Sequence, residues 1–232
     1  LEAVAGHFSA TWDAGRDTKE ASLTLAGRRI AVVVTTPEGR GAGHGGVAAL
    51  RLRFDKVATR LLERLSAPLG ETVPDGTTVV LTVTAPIHKW AKTASSLEAK
   101  IRASLARGSS SRVEEDTIEG NRVHVRVLKD GSERGPKMIG FVHNPDTDAL
   151  LLVKMARTLL GLRSARADRR PIRRTQDRWL VVVSGGVRSV LEVYRSICSQ
   201  VGLDADFTKI LVVLGDGHVE EIARTSARTV SR

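Results

Sequence analysis

Residues 17–65 read DTKEASLTLAGRRIAVVVTTPEGRGAGHGGVAALRLRFDKVATRLLERL. Apolar and polar residues alternate over 21–26, which predicts a strand with one solvent-facing side. After a turn at Gly27-Arg28, residues 30–34 are apolar without interruption and predict a strand that is covered on both faces. A glycine-rich loop then leads to an amphipathic helix over 50–65.

The segments on either side extend this stretch into a helix–strand–strand–helix–strand series. Apolar residues recur at helical spacing from Leu1 to Trp12, and β-branched residues over 77–85 predict another buried strand. Strands and helices alternate in the rest of the chain as well. We therefore predict an α/β (α+β) fold, in which a single domain over 1–232 has a central mixed β-sheet flanked by helices.

Within this domain we expect four parts: a core over 1–106, a hairpin plus helix over 107–162, an arginine-rich linker over 163–178, and a strand–helix–hairpin extension over 179–232. The spacing of Ser95 and Glu98 predicts a capping box that opens a helix. Residues 122–127 and 137–142 are predicted to pair across an Asp130-Gly131 turn. Residues 207–214 and 218–222 are predicted to form a closing hairpin.

The composition is that of an ordinary globular protein, with 41% hydrophobic and 27% charged residues. A single cysteine, Cys198, excludes a disulfide framework or a cysteine-based zinc site within these residues. No apolar run approaches the roughly 20 residues of a membrane-spanning helix, so we expect no membrane contact. Neither a charged segment nor an apolar one resembling a signal peptide follows Leu1, and we expect a cytoplasmic location.

The net charge of +10 is concentrated in one segment. Residues 163–178 contain seven arginines and two aspartates, a net +5 and therefore half of the total. Such a segment attracts the phosphates of nucleic acid, and the arginines at its centre are candidate contacts: Arg169, Arg170, Arg173 and Arg174. The alternative is a solvated linker. Only 3% of the residues are aromatic, so platforms for stacking bases are few.

A second basic feature lies on a predicted strand. Arg122, His124 and Arg126 alternate with valines and therefore share one strand face. Side chains two residues apart along a strand match the spacing of successive phosphates, which indicates nucleic-acid binding. The alternative is a solvent-facing strand whose charges prevent edge pairing.

The element order of residues 1–85, with an acidic residue before one strand and an apolar strand following across a short turn, resembles the core of the PD-(D/E)XK, or restriction-endonuclease-like, nucleases. In that superfamily an acid near the first strand and an acid-x-lysine on the next bind magnesium and activate water. Asp17, or Glu20 beside it, matches the first acid. Val33 and Thr35 occupy the other two positions, and neither side chain performs that chemistry.

The resemblance implies two alternatives. In the first, Asp17 and Glu20 hold magnesium, and Lys56 replaces the strand lysine, giving an active nuclease; Glu38 or Asp55 would supply a further oxygen. In the second, the protein is a catalytically diverged relative that binds nucleic acid without a cofactor. A third class, independent of the resemblance, is an oligomeric scaffold without nucleic acid.

Three other motifs have simpler interpretations. Residues 41–46 match G-x-G-x-x-G, but the loop is too long for a dinucleotide fingerprint and is interpreted as a flexible loop. Oxygen and imidazole ligands occur over 143–148, where helix capping is the preferred interpretation. Ser184-Gly185-Gly186 lacks a nucleophile elbow and is interpreted as a tight turn.

Overall fold

The computed structural model describes residues 1–14, 20–37, 50–108, 113–129, 135–167 and 177–224. They form a mixed α/β fold with five helices and two mixed sheets among the described residues, which confirms the predicted class. The chain separates into two compact units. Unit 1 comprises Leu1–Val47 and Arg169–Arg232, and unit 2 comprises Ala48–Asp168.

The helices are α1 (Glu2–His7), α2 (Lys56–Thr72), α3 (Trp90–Ala106), α4 (Ala149–Ala167) and α5 (Val190–Val201), with a short 3-10 helix at Leu203–Ala205. The strands are β1 (Thr11–Ala14), β2 (Glu20–Leu25), β3 (Arg28–Thr35), β4 (Thr77–Thr84), β5 (Glu114–Ile118), β6 (Asn121–Lys129), β7 (Met138–His143), β8 (Arg178–Val183), β9 (Lys209–Val213) and β10 (Val219–Arg224).

Unit 1 contains a six-stranded sheet in chain order, β1-β2-β3-β8-β9-β10. The pairs β3–β8 and β8–β9 are parallel, and the outer pairs are antiparallel. Val4 of α1 packs against Leu23, Ile30 and Val32 on one face of this sheet. Leu180, which alternates with the residues of that face, is also buried, so the central strands are covered on both sides.

Unit 2 contains a four-stranded sheet in the order β5-β6-β4-β7. β4 pairs with β6 in an antiparallel arrangement and with β7 in a parallel one. Helices α2 and α3 pack on the face that carries Val79, Leu81 and Val83, while α4 contacts β4 and β6. The α2 helix approaches β7 closely, because a Cβ atom placed on Gly140 would lie 2.5 Å from Leu62 Cδ2.

The prediction of one central sheet is wrong. β3 pairs with β2 and β8, whereas β4 pairs with β6 and β7, so the two strands that the sequence pattern placed in one core belong to different sheets. The physical reason is that both strands are apolar enough to be central. Each requires two neighbours, and the local sequence does not specify which ones.

The predicted hairpin of residues 122–127 and 137–142 is also wrong. β6 pairs with β5, a strand that the sequence pattern did not reveal, and β7 pairs with β4 instead. β4 lies between β6 and β7 because its residues Thr78 to Val83 are buried on both faces. A strand of this kind is stable only in the interior of a sheet.

Helix bounds differ from the predicted ones at several places. The first helix ends at His7 because Ser9 has a φ of +50°, and Trp12 lies in β1 rather than in a helix. α3 begins at Trp90, so Ser95 lies inside the helix and does not cap it. α2 begins at Lys56 rather than at residue 50, because Leu52 pairs with His143 and Asp55 caps the helix. It also continues past residue 65 and Pro68, and the burial of Leu69 in its last turns offsets the hydrogen bond that proline cannot make.

The end of the chain agrees with the sequence pattern. β9 and β10 form the predicted hairpin around Gly217, which has a φ of +82°. α5 lies in the predicted strand–helix–hairpin extension and buries the apolar stripe that recurs at helical spacing from Val190 to Val201, while Val187 precedes the helix and is exposed. Among the helices of the described residues, none combines the length and apolar character needed to cross a membrane.

The core of unit 2 gives a stability prediction. Leu65 of α2 is fully buried among β-strand side chains, whereas Arg64 beside it is exposed. We expect Leu65→Ala to lower the free energy of unfolding by about 2–5 kcal/mol, because it removes apolar contacts and leaves a cavity. Urea unfolding followed by circular dichroism measures this loss. Arg64→Ala is the matched control, with an expected change within about 0.5 kcal/mol. Equal effects of the two substitutions would contradict the packing described here.

Candidate functional site

A cleft in unit 2 lies where its two parallel strands end. β4 and β7 run in the same direction, with Thr84 opposite His143 at their carboxyl ends. Helix α3 begins six residues after β4, and α4 begins six residues after β7. In open α/β sheets the carboxyl ends of parallel strands are the usual place for ligand binding, because loops and helix starts converge there.

Backbone pairing also places the start of a third helix, α2, at the carboxyl ends of these strands. The Arg53 amide donates to the carbonyl of Val142 (2.7 Å), and the Asn144 amide donates to the carbonyl of Arg51 (3.0 Å). Leu52 thereby forms an antiparallel bridge with His143. This pairing holds the first turn of α2 beside the end of β7.

The cleft has a volume of about 550 Å³. Three chain segments line it: Arg53, Asp55, Lys56 and Val57 before and in α2; Ala85, Pro86 and Ile87 after β4; and Val142, Asn144 and Pro145 at the end of β7. We call residues 50–57, 84–92, 119–122 and 143–150 the cleft edge. The floor of the cleft is apolar, and its charged side chains come from the segment that leads into α2.

Two aspartates at the cleft edge serve as helix caps. Asp55 accepts hydrogen bonds from the amides of Val57 and Ala58, and the bond from Ala58 is the main cause of its lowered pKa. Asp148 accepts from the amides of Leu150 and Leu151 at the start of α4. These carboxylates are therefore committed to backbone donors.

Four cations of the cleft edge have no acidic partner among the described residues. Arg51, Lys56, Lys92 and Arg122 are exposed and make no ion pair among the described residues. Arg53 and Lys89, by contrast, pair with Asp55 (3.3 Å) and Glu119 (3.2 Å). Of the acidic side chains here, Asp146 is the one that neither caps a helix nor forms an ion pair within the described part of the chain. The excess charge at the cleft edge is therefore positive.

Asn121 holds the loop between β4 and α3 in place. Its side-chain oxygen accepts from the His88 amide (2.8 Å), and its side-chain nitrogen donates to the His88 carbonyl (3.2 Å) and to Thr93 Oγ1 (2.9 Å). It is buried, at the first position of β6 after the turn at Glu119-Gly120. The sequence pattern does not indicate a role for Asn121, because its only local feature is that it follows Gly120 in a turn.

Buried imidazoles lie under the α4 face of the sheet. His124 Nδ1 is 3.3 Å from Thr82 Oγ1, and its Nε2 is 3.8 Å from a carboxylate oxygen of Glu115. His143 Nδ1 lies 2.8 Å from the carbonyl oxygen of Asn144, while its buried Nε2 has no hydrogen-bond partner among the described residues. Burial lowers the pKa of both histidines.

The predicted basic face of β6 is therefore divided. Arg122 is exposed and lies at the cleft edge, because β6 runs antiparallel to β4 and its first residues are beside the end of β4. His124 is 6% exposed, and Arg126 is half-buried, with a pKa lowered by burial and by Arg157. Only the first of the three side chains is presented openly to solvent.

The predicted metal-binding residues fall in different parts of the chain. Asp17 and Glu38 lie outside the described residues. Glu20 begins β2 in unit 1, directly opposite Val33 of β3. Lys56 is the first residue of α2 in unit 2 and is exposed. Among the described residues, no group of three or more histidine, cysteine, aspartate or glutamate side chains is arranged to hold a metal ion.

The remaining predictions divide between described and undescribed segments. The glycine-rich loop over 41–46 and the arginines Arg169, Arg170, Arg173 and Arg174 lie outside the described residues. A residue of the segment 143–148 does cap α4, but it is Asp148, because the helix begins at Ala149 and not at the predicted Asn144-Pro145-Asp146. The tight turn at 184–186 is confirmed, because Ser184 Oγ accepts from the Gly186 amide (3.1 Å).

The buried histidines predict acid sensitivity. Burial lowers the pKa of His143 in the folded protein, and the nearby His124 and Arg122 lower it further, against the opposite effect of Asp146. The unfolded chain binds a proton at about pH 6.5, so stability is highest above this pH and falls as the pH drops below it. We expect a loss of up to about 1.4 kcal/mol per pH unit for each histidine. Urea midpoints measured at about pH 7.5 and about pH 5.5 test this.

The variant His143→Gln should reduce this pH dependence, because the amide does not titrate. The matched control is His7→Gln, at an exposed histidine of α1. A pH dependence that His143→Gln leaves unchanged would show that this imidazole is not the source.

Comparison of the chain with models of protein families, with curated proteins and with solved structures finds no match.

Proposed function

We propose that this protein binds nucleic acid through phosphate contacts at the cleft edge of unit 2. The observation that carries the proposal is the group of exposed cations without ion pairs among the described residues: Arg51, Lys56, Lys92 and Arg122. Lys56 lines the cleft at the carboxyl ends of two parallel strands, and the other three lie in the segments that adjoin it at the same end of the sheet. Cations that neutralise phosphates release condensed counterions, which makes binding strongly dependent on salt.

The positions of two lysines support the proposal further. Lys56 and Lys92 lie in the first turns of α2 and α3, and neither first turn contains an acidic residue. The positive end of a helix dipole normally favours acidic side chains, so each lysine there costs roughly 0.3–1 kcal/mol. A bound phosphate relieves this repulsion from both the lysine and the helix terminus.

The arginines that the sequence analysis selected belong to the same proposal. Arg122 lies at the cleft edge, and Arg169, Arg170, Arg173 and Arg174 would add phosphate contacts from the segment after α4. Arg126 is half-buried and would contribute by its charge, whereas His124 is buried, and burial lowers its pKa and disfavours its charged form. The excess of +5 over 163–178 strengthens attraction over distances of about 10 Å at moderate salt.

We also propose that the protein is a catalytically diverged relative of the PD-(D/E)XK nucleases. Glu20 lies opposite Val33 in the register of β2 and β3. Val33 is apolar and occupies the position at which the superfamily pattern has its second acid. Thr35 stands where the pattern has lysine. The alternative of an active nuclease keeps Asp17 and Glu20 as the candidate acids, whereas its candidate lysine, Lys56, belongs to the other compact unit. Magnesium would be the cofactor of that nuclease.

A cytoplasmic setting is part of the proposal. The one cysteine, Cys198, is buried in α5, and burial raises the pKa of its thiol to about 12. No disulfide can form within these 232 residues. The core is thus suited to a reducing compartment, where nucleic acid is also present.

Salt-dependent binding tests the phosphate contacts. We expect Lys56→Ala and Lys92→Ala each to weaken binding to DNA or RNA and to lower the slope of log affinity against log salt by about 1. Fluorescence anisotropy over a series of salt concentrations measures both quantities. The matched control is Arg64→Ala, which removes an exposed cation about 12 Å further along α2. An equal loss in the control would show that the attraction is non-specific. If the protein bound neither DNA nor RNA at low salt, the oligomeric scaffold would be the remaining hypothesis.

A second experiment tests the loss of catalysis. We expect no cleavage of single-stranded or double-stranded substrates when magnesium is added, because Val33 lacks the carboxylate and Thr35 lacks the amine that the superfamily pattern has at these positions. Gel analysis of labelled DNA and RNA measures this. Magnesium-dependent cleavage that Glu20→Ala abolishes and Glu63→Ala preserves would overturn the diverged assignment; Glu63 is an exposed acid of α2.

A further inference from the structure

Exposed apolar side chains of unit 2 are concentrated at the starts of its helices. The large hydrophobic residues that are strongly exposed in the described part of unit 2 are Phe54, Val57, Trp90 and Leu150. All four belong to the cleft edge. Single exposed apolar residues are common on protein surfaces, but a group confined to one edge indicates a binding surface.

Phe54 has no role in the packing of α2. It directly precedes the cap residue Asp55, a position at which an apolar side chain normally packs against the fourth helical residue. That residue is Thr59, which is exposed, and Phe54 itself is 62% exposed. Its phenyl ring is therefore available to a ligand, and it stands between Arg53 and Lys56, which line the cleft.

Trp90 is also exposed, and hydrogen bonds hold the loop that precedes it. It is the first residue of α3 and is 42% exposed. The preceding residues are fixed by the hydrogen bonds between Asn121 and His88 and by the ion pair of Lys89 with Glu119 (3.2 Å). Lys92 follows within the same turn. A large aromatic ring is thus held at the surface next to a cation.

We propose that the cleft edge binds single-stranded nucleic acid, with Phe54 and Trp90 as stacking platforms for unpaired bases. This inference rests on the proposed function and adds the class of ligand to it. Lys56, Lys92, Arg51 and Arg122 contact the phosphates of the strand, and the two rings contact its bases. Alternation of aromatic and cationic side chains is the arrangement by which proteins bind single strands without sequence preference.

A duplex does not use the aromatic rings. Its bases are stacked on each other and present only their edges in the grooves, so an exposed ring gains little from it. An unpaired base offers its whole π-face, and stacking contributes roughly 1–3 kcal/mol per base. The preference for a single strand therefore depends on the rings, whereas attraction to phosphate is common to both ligands.

The experiment compares the two ligands with variants that keep the apolar character but remove the ring. Binding of an oligothymidine of about 16 nucleotides and of a duplex of the same length is measured by fluorescence anisotropy at one salt concentration. We expect Phe54→Leu and Trp90→Leu each to weaken single-strand binding at least about fivefold. Duplex binding should change by less than about twofold. Both residues are exposed, and circular dichroism confirms that the variants fold.

Trp12→Leu is the matched control, because Trp12 is a comparably exposed ring that lies in unit 1, outside the cleft edge. Single-strand binding of this variant should be unchanged. A loss in this control equal to that of the cleft-edge variants would show that the rings of the cleft edge are not the stacking platforms and would overturn the inference. Equal effects of the ring variants on both ligands would overturn the single-strand inference and leave the proposed function intact. Failure of the unaltered protein to bind either ligand would overturn both.

Discussion

The central position of β4 is the constraint on which unit 2 depends. Its side chains from Thr78 to Val83 are buried on both faces, so the strand must have a neighbour on each edge and helices above and below. β6 fills one edge in an antiparallel sense, and β7 fills the other in a parallel sense. α2 and α3 cover one face, and α4 contacts the other. Because β7 is parallel to β4, the connections that follow both strands emerge at the same end of the sheet.

This arrangement explains why a cleft forms where it does. Helices α3 and α4 follow β4 and β7 and therefore start at this end of the sheet. Helix α2 starts there as well, because residues 51–53 pair with the end of β7. Helix starts present backbone amides and a partial positive charge, so acidic side chains or bound anions are stabilised beside them. Asp55 and Asp148 satisfy part of this demand as caps. The lysines that stand beside them add positive charge to the cleft edge.

Local elements could be predicted from the sequence, but strand partners could not. The antiparallel pair β2–β3, the closing hairpin and the stripe of α5 depend on residues close together in the chain, and the structure agrees with them. The partners of β4 lie up to 59 residues away, and a run of β-branched residues fits several neighbours equally well. The same limit applies to the cleft. Lys56 was a candidate only as the replacement lysine in the nuclease resemblance, and Asn121 acts through contacts with His88 that only the folded chain creates.

Departures from local rules coincide at the cleft edge. Lys89 has a φ of +43°, a left-handed conformation that side chains other than glycine rarely adopt. Phe54 is apolar and exposed next to a helix cap, and His143 Nε2 is buried without a hydrogen-bond partner among the described residues. The strained backbone and the unpaired imidazole nitrogen each cost free energy that packing elsewhere must offset, and exposed Phe54 gains none of the stabilisation that burial would give. A sequence selected for stability alone would avoid such costs one by one; their occurrence together at the ends of β4 and β7 is the pattern expected of a binding site.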